Sequence, residues 1–220
     1  MRALALVPAY NEARFIGEVL SKLLETFRAE DVLVVDDGSE DGTGEIAQSF
    51  GVNVLRNEGN LGKGASLRKG FRWALERGYE AVLTLDADGQ HPPELAPRFL
   101  EAGEEADLVL GCRYPFRGMP LLNKLSNLTT SLTISVMTGA RVPDSQVGYR
   151  LIKAEVLKAV KLKTTKFQTE SELLVKALWL GFKLALVPIP VIYSGQRSHI
   201  RALDVPRALG LALKLLWERA

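Results

Sequence analysis

Short runs of strand-forming apolar residues alternate with segments of helical period along the first half of the chain. The apolar runs predict strands near 3–7, 31–36, 52–55, 80–86 and 107–111, and the 3.6-residue pattern predicts helices near 14–28, 42–49, 64–77 and 93–103. Strand and helix in alternation imply an α/β fold: a Rossmann-like, mainly parallel sheet with right-handed crossovers and helices on both faces. The run DVLVVDD, Asp31 to Asp37, has the unbroken hydrophobicity of a strand covered on both sides. After Arg113 the alternation fails. FRGMPLLNKLSNLTTSLTISVMTG reads as a helical insertion, VGYRLI as a strand and SELLVKALWLG as a helix stopped by Gly181. FKLALVPIPVIY is extended, and Pro188 and Pro190 make it an edge or irregular strand. An amphipathic helix from about Val205 ends this irregular C-terminal part.

The 220 residues suit one domain with its own core. A composition of 47% hydrophobic and 25% charged residues is that of an ordinary globular protein. Net charge is +2 with no long Lys/Arg run, which argues against a nucleic-acid partner. Cys112 is the single cysteine, so no internal disulfide or Cys-rich zinc site forms, and a reducing, cytoplasmic setting is expected. The opening MRALALVPAYNE suits a buried first strand better than a signal peptide, and no stretch approaches the ~20 apolar residues of a spanning helix.

In open α/β sheets ligands bind beyond the carboxyl ends of the strands, and three strand ends here are unusual: PAYNE, DDGSEDGT and DADGQH. Asp36 and Asp37 suit a strand-to-helix turn with Gly38 at positive φ, or a carboxylate that accepts hydrogen bonds from a nucleoside, for which Asp37 is the better placed. Asp86 and Asp88 share one face if the strand continues through them. Paired carboxylates on one face invite a hard cation, Mg2+ or Mn2+, completed by a substrate diphosphate. Gln90 offers a further carbonyl oxygen, whereas His91 would suit a softer metal only if more His or Cys ligands converged. NEGNLGKGASLRKG, Asn57 to Gly70, fits neither the dinucleotide fingerprint nor the P-loop; its helix start, with Lys63, either faces an anion or packs the helix on the sheet. Arg113 and Arg150 are either guanidinium forks for phosphate or solvated surface. Thr169 and Glu172 fit a capping box.

Taken together and in this order, PAYNE, VVDDGSEDGT, NLGKGAS, LDADGQHPP, GCRY and DSQVGYR resemble the family-two glycosyltransferases of GT-A fold, in the branch of dolichyl-phosphate mannosyltransferase and related polyprenyl-phosphate glycosyltransferases. The resemblance spans Leu4 to about Ile152. It implies that Pro8, Tyr10, Glu12, Val35 and Asp37 hold the nucleoside, that Asp86, Ala87, Asp88 and Gln90 meet metal and diphosphate, and that Arg113 follows the fifth strand as a phosphate contact. Cys112 stands where the family usually has Ser, and His199 where a lysine is common, so Arg197 or Arg201 would replace that C-terminal phosphate contact. The implied reaction is inverting transfer of a sugar from a GDP- or UDP-sugar, with Asp88 and Arg113 at its centre. A lipid-phosphate acceptor needs no strong base; a hydroxyl acceptor would need Asp144 or Glu172. The implied organisation is one domain over 1–220: a nucleotide-sugar half over 1–113, an acceptor side over 114–200 and the helix of 201–220. A transferase acting on a soluble hydroxyl and a non-catalytic nucleotide-sugar binding module are the alternatives.

Two apolar stripes bear on the acceptor. Leu121, Leu125, Leu128, Leu132 and Val136 fall at helical spacing beside Arg113, Arg117 and Lys124, and Leu209, Leu213, Leu216 and Trp217 repeat the theme. Each stripe either docks on the core or lies in a membrane interface drawn by anionic lipid. With no spanning helix before Ala220, the second reading implies peripheral contact with the inner face of the cell membrane, or a membrane partner protein.

Overall fold

The computed structural model describes residues 1–164 and 168–192. Arg197, His199, Arg201 and the helix expected from Val205 lie outside the described residues. Strands β1 (Ala3–Ala9), β2 (Val32–Asp36), β3 (Asn53–Arg56), β4 (Ala81–Thr84), β5 (Leu108–Cys112), β6 (Arg150–Lys153) and β7 (Leu184–Pro188) form one sheet in the order β3-β2-β1-β4-β6-β5-β7. Every pairing is parallel except those of β6, which runs antiparallel to both β4 and β5. The helices are α1 (Ile16–Leu23), α2 (Thr43–Ser49), α3 (Lys63–Glu76), α4 (Ala96–Glu105), α5 (Leu121–Thr138), α6 (Ala154–Ala159) and α7 (Gln168–Trp179).

The core is the central strands. β1, β2 and β4 are buried along their whole length, as continuous Ala/Leu/Val runs covered on both faces should be. Register assigns the faces. Leu6, Thr84 and Arg150 are opposite one another across β1, β4 and β6, and so are Ala5, Leu83 and Leu151. Gly70 of α3 lies against Leu6, and Gly103 of α4 against Leu151, so α3 and α4 sit on opposite faces. Gly70 is required there: a Cβ would run into the Leu6 side chain. β7 is the sheet edge, where Pro188 is tolerated.

Two expectations are corrected and one open alternative is decided. β4 ends at Thr84, two residues earlier than its apolar run suggested, so Asp86 and Asp88 lie in a turn and do not share a strand face. Helix α5 forms, but its polar side is inside. Asn123, Ser126, Asn127, Thr130, Ser131 and Ile134 are buried, while Leu121, Leu122, Leu125, Leu132 and Val136 are 52–79% exposed. The stripe therefore does not dock on the core. Arg150, expected as a phosphate ligand or surface residue, is 2% exposed. Its guanidinium donates to the carbonyls of Val147, Ser145 and Glu170, each at 2.8 Å, which ties the turn before β6 to the start of α7.

With Arg150 replaced by Met, those carbonyls and the nearby Glu170 carboxylate lose their buried cation. The variant should lose on the order of 3 kcal/mol of stability, the cost of breaking a buried charged pair, read from the midpoint of urea unfolding. An unchanged midpoint would remove Arg150 from the fold's framework.

Candidate active site

The carboxyl ends of β1, β2 and β4 leave backbone donors without ladder partners, and polar side chains meet them. Asn11, at φ 55°, donates its N–H to Ser39 Oγ (2.9 Å), Glu12 donates to Thr43 Oγ1 (2.9 Å) and Ala13 to Asp41 Oδ2 (3.0 Å). In return Glu40 N–H donates to Asn11 Oδ1 (3.0 Å). The loops after β1 and β2 are thereby laced into one wall. Burial pushes the Asp41 carboxyl up, but hydrogen bonds from Thr43 and Ala13 outweigh it and hold it below its ordinary value.

Asp37 is 3% exposed and serves the loop ahead of α3. Its Oδ1 accepts from Asn57 Nδ2 (2.7 Å) and Leu61 N–H (3.1 Å), and its Oδ2 from Gly62 N–H (2.7 Å). Asp37 thus fixes the loop over residues 57–62, and a nucleoside hydroxyl would have to compete with these donors. Pro8 and Val35 are register partners buried in the strands beneath the wall, while Tyr10 is 43% exposed at its rim.

Asp86 sits where β4 has ended. Lys63 Nζ lies 2.5 Å from its Oδ1 and also 3.2 Å from Glu170 Oε2. Lys63 therefore faces two carboxylates of the protein. Burial alone would raise the Asp86 carboxyl, but the Lys63 ammonium, with Arg113 contributing, keeps it below its ordinary value. Asp86 N–H donates to His91 Nδ1 (3.1 Å), and burial pushes His91 down to about 4, so the imidazole is neutral and committed to the turn. Asp88 Oδ1 accepts the N–H of Gln90 (2.9 Å), and Ala87 between the aspartates is buried. Gly148 covers the Lys63–Asp86 pair: a Cβ there would stand 2.6 Å from Asp86 Oδ2 and 2.7 Å from Lys63 Nζ.

Glu12 links the first wall to this turn. Its pKa is raised from 4.5 to about 7, first by burial and then by the charges of Asp88, Asp86 and Asp41. Among the described residues no three His, Cys, Asp or Glu side chains converge closely enough to hold a metal by themselves. The Asp86–Asp88 turn still fits a divalent cation: it brings two carboxylates together, their charges add to burial in raising the Glu12 carboxyl, and a diphosphate would supply the missing oxygen ligands.

Arg113 closes the site from the far side. Its N–H and Nε donate to Asp144 Oδ2 (2.9 and 2.8 Å), its Nη2 donates to Oδ1 (2.9 Å), and Asn127 Nδ2 of α5 takes Oδ1 as well (2.6 Å). Asp144 is fully buried and accepts four donors, the capacity of a carboxylate. Burial raises its carboxyl, but Arg113 and Asn127 bring it below its ordinary value. Asp144 is an anchor for Arg113 and lacks a lone pair for a general base. Glu172 is equally committed, to the N–H groups of Lys163 and Thr164, the Thr164 hydroxyl and Lys176. The capping box expected with Thr169 is replaced by this brace.

Sequence reasoning missed Glu170, Asn127 and Gly148. Asn127 left a trace, a polar 3.6-residue stripe through Ser126, Asn127, Thr130 and Ser131 in a leucine-rich helix.

Comparison with known proteins shows the family and the fold. The family described as glycosyl transferase family 2 matches residues 5–161. The undecaprenyl-phosphate mannosyltransferase of Micrococcus luteus is 36% identical over 204 residues, covering 87% of this chain and 84% of that protein. The polyprenol monophosphomannose synthase of Mycolicibacterium smegmatis is 32% identical, covering 86% of this chain and 76% of that one. The fold is shared with the glucosyl-3-phosphoglycerate synthase of Mycobacterium tuberculosis solved with Mn2+, UDP-glucose and phosphoglyceric acid, at a TM-score of 0.75 and 20% identity over 99% of this chain and 79% of that one.

Because Glu12 holds its proton to about pH 7 in the folded state against 4.5 ordinarily, the folded protein binds more protons than the unfolded chain between those values. That share of stability is complete below about pH 4.5 and is lost as the pH rises to about 7 and past it. In Glu12→Gln this share of the pH dependence should vanish, so the melting temperature of the variant should gain on wild type across the window. A difference that stays constant with pH would locate the repulsion elsewhere.

Proposed function

The chain belongs to glycosyl transferase family 2, and from that premise we propose that it moves a sugar, with inversion, from a nucleotide-diphosphate sugar to a polyprenyl or dolichyl phosphate at a membrane surface. The observation that carries the membrane part is the reversed polarity of α5. The helix that holds Arg113 in place through Asn127 and Asp144 turns Leu121, Leu122, Leu125, Leu132 and Val136 outward. Arg117, Lys124 and Arg141 lie at or near its ends. An apolar face rimmed by basic residues suits the headgroup region of anionic lipid. The relatives named for undecaprenyl-phosphate and polyprenol acceptors support the same reading. Among the described residues no helix is long and apolar enough to cross a membrane, so the contact we propose is peripheral, at the inner face of the cell membrane.

On this reading residues 1–113 carry the donor and the part from 114 onward the acceptor. The nucleoside lies on the laced loops of residues 9–13 and 37–43, beside Tyr10 and the loop that Asp37 holds. The diphosphate lies at Asp86 and Asp88, which would hold Mg2+ or Mn2+ with Gln90 nearby. A divalent cation bound there supplies Lewis-acid stabilisation of the departing nucleotide. Arg113, locked in orientation by its paired bonds to Asp144, adds a fixed cation at the same edge and meets phosphate. An acceptor phosphate is already anionic and attacks without a base. That suits a site in which Asp144 and Glu172, the carboxylates a hydroxyl acceptor would have required, are both saturated by protein donors.

The test is transfer from labelled GDP- and UDP-sugars to polyprenyl phosphate in anionic vesicles, set against soluble hydroxyl acceptors. Wild type should transfer to the lipid, and EDTA or Asp88→Asn should reduce the rate by roughly 100-fold or more, the several kcal/mol that metal stabilisation supplies. Efficient transfer to soluble hydroxyls alone would overturn the acceptor, and full activity of Asp88→Asn in EDTA the metal. Replacing Leu121, Leu125 and Leu132 together with Gln should abolish flotation with anionic vesicles and leave the melting temperature close to wild type, because these side chains are exposed. Flotation equal to wild type would free α5 of any membrane role.

A further inference from the structure

Lys63 sits on the carboxylate that the cation would need. Its side chain is only 16% exposed, and its ammonium lies 2.5 Å from Asp86 Oδ1. The ammonium is held between two carboxylates, Asp86 and Glu170. Gly148 passes directly over the pair, where a Cβ would collide with both partners, so the close approach of the 144–149 turn requires glycine there.

Glu170, in contrast, is not used up. Its Oε2 lies 3.2 Å from the same ammonium, while its Oε1 is buried without a hydrogen-bond partner, 4.0 Å from Arg150 Nε. Glu170 also lines a small cavity of about 10 Å3, mainly apolar, with Leu67, Phe71, Arg150 and Leu173. Lys63 therefore has a second seat beside the first, with acceptor capacity to spare.

A divalent cation on Asp86 and an ammonium on the same carboxylate repel strongly at contact distance in a partly buried site. We infer that Lys63 is an internal counter-ion of Asp86, which holds the carboxylate while the crevice is empty and yields it by moving onto Glu170 when the donor diphosphate arrives with its divalent cation. Lys63 is a positioning residue. It makes cation binding conditional on the nucleotide, because the diphosphate supplies the negative charge that offsets the added cation. The inference rests on the reading of Asp86 and Asp88 as the cation and diphosphate site.

The measurement is Mn2+ binding, followed by the electron paramagnetic resonance of free Mn2+, with and without UDP or GDP. Wild type should bind Mn2+ weakly alone and at least roughly ten-fold more tightly with the matching nucleotide. Lys63→Met, of similar length and without charge, should bind Mn2+ alone at least roughly ten-fold more tightly than wild type and lose most of the dependence on nucleotide, whereas Lys63→Arg should keep that dependence. Wild type gives an independent signal. The Lys63 ammonium resonance should shift on addition of nucleotide with Mg2+ and stay in place with Mg2+ alone. If wild type binds Mn2+ with nucleotide but Lys63→Met binds it alone no better than wild type, or the resonance does not move, the role of Lys63 falls. If wild type binds no Mn2+ under either condition, the cation reading of Asp86 and Asp88 falls, and this inference with it.

Discussion

The reversed direction of β6 is the constraint on which the site depends. A strand that ran parallel to β4 and β5 would begin at their amino ends. Because β6 is antiparallel to both, Arg150 at its start pairs with Thr84 near the end of β4 and with Leu110 near the end of β5. The segment over 144–149 is thereby delivered to the edge where Asp86 and Arg113 emerge. Thr84 Oγ1 donates to the Gly148 carbonyl (2.8 Å), Gly148 roofs the Lys63–Asp86 pair, and Asp144 reaches Arg113. With a parallel strand of the same four residues these groups would start roughly 13 Å away, at a rise of ~3.3 Å per residue. Arg150 secures the device, since its three bonds to carbonyls keep the turn ahead of β6 from lifting off the sheet.

The polarity of α5 follows from the same requirement. Asp144 is buried as an anion, and a buried charge persists only with donors around it. Asn127 supplies one from α5, Ser131 bonds to Ser145 and Asn127, and the Gln146 amide donates to Ser126 and Thr130. A helix with an apolar inner face would leave Asp144 and Ser145 without these partners, at a cost of about 1 to 3 kcal/mol for each unsatisfied group. The inner face must be polar, and the leucines are left to face outward.

Much of this was legible in the sequence. The continuous apolar runs of β1, β2 and β5 located the core, and the three acidic strand ends located the crevice, because both signals are local. What was lost is tertiary. Periodicity carries no strand direction, so VGYRLI read as a strand, which forms only from Arg150 on, without revealing that it runs against its neighbours. It also finds the apolar stripe of α5 but does not say which stripe faces in. The end of β4 escaped because Leu85 continues the apolar run although the strand ends at Thr84 and only the Leu85 N–H still reaches β1, at the Leu6 carbonyl. Arg150 among apolar neighbours reads alike whether it binds phosphate or ties up carbonyls. Asp144, Glu172 and Asp37 share that ambiguity: a carboxylate's chemistry depends on how many of its lone pairs are already taken, and the donors come from residues 4 to 31 positions away.

On the proposed reading the dimensions of α5 bear on how a lipid acceptor reaches the donor. An α-helix with its side chains is ~10–12 Å across, so the leucines on one side and Asn127 on the other are separated by about that distance. An interfacial helix sinks its apolar face ~5–10 Å into the headgroup and acyl boundary, and the headgroup layer of a bilayer is itself several Å thick. With the leucines of α5 at that depth, the buried side, and Arg113 held against it through Asp144, stands at about the level of the lipid phosphates. On the proposed reading a polyprenyl phosphate would then meet the guanidinium without drawing its chain out of the bilayer. On that reading the sugar is the group that travels, carried by the nucleotide to the carboxyl ends of β1, β2 and β4.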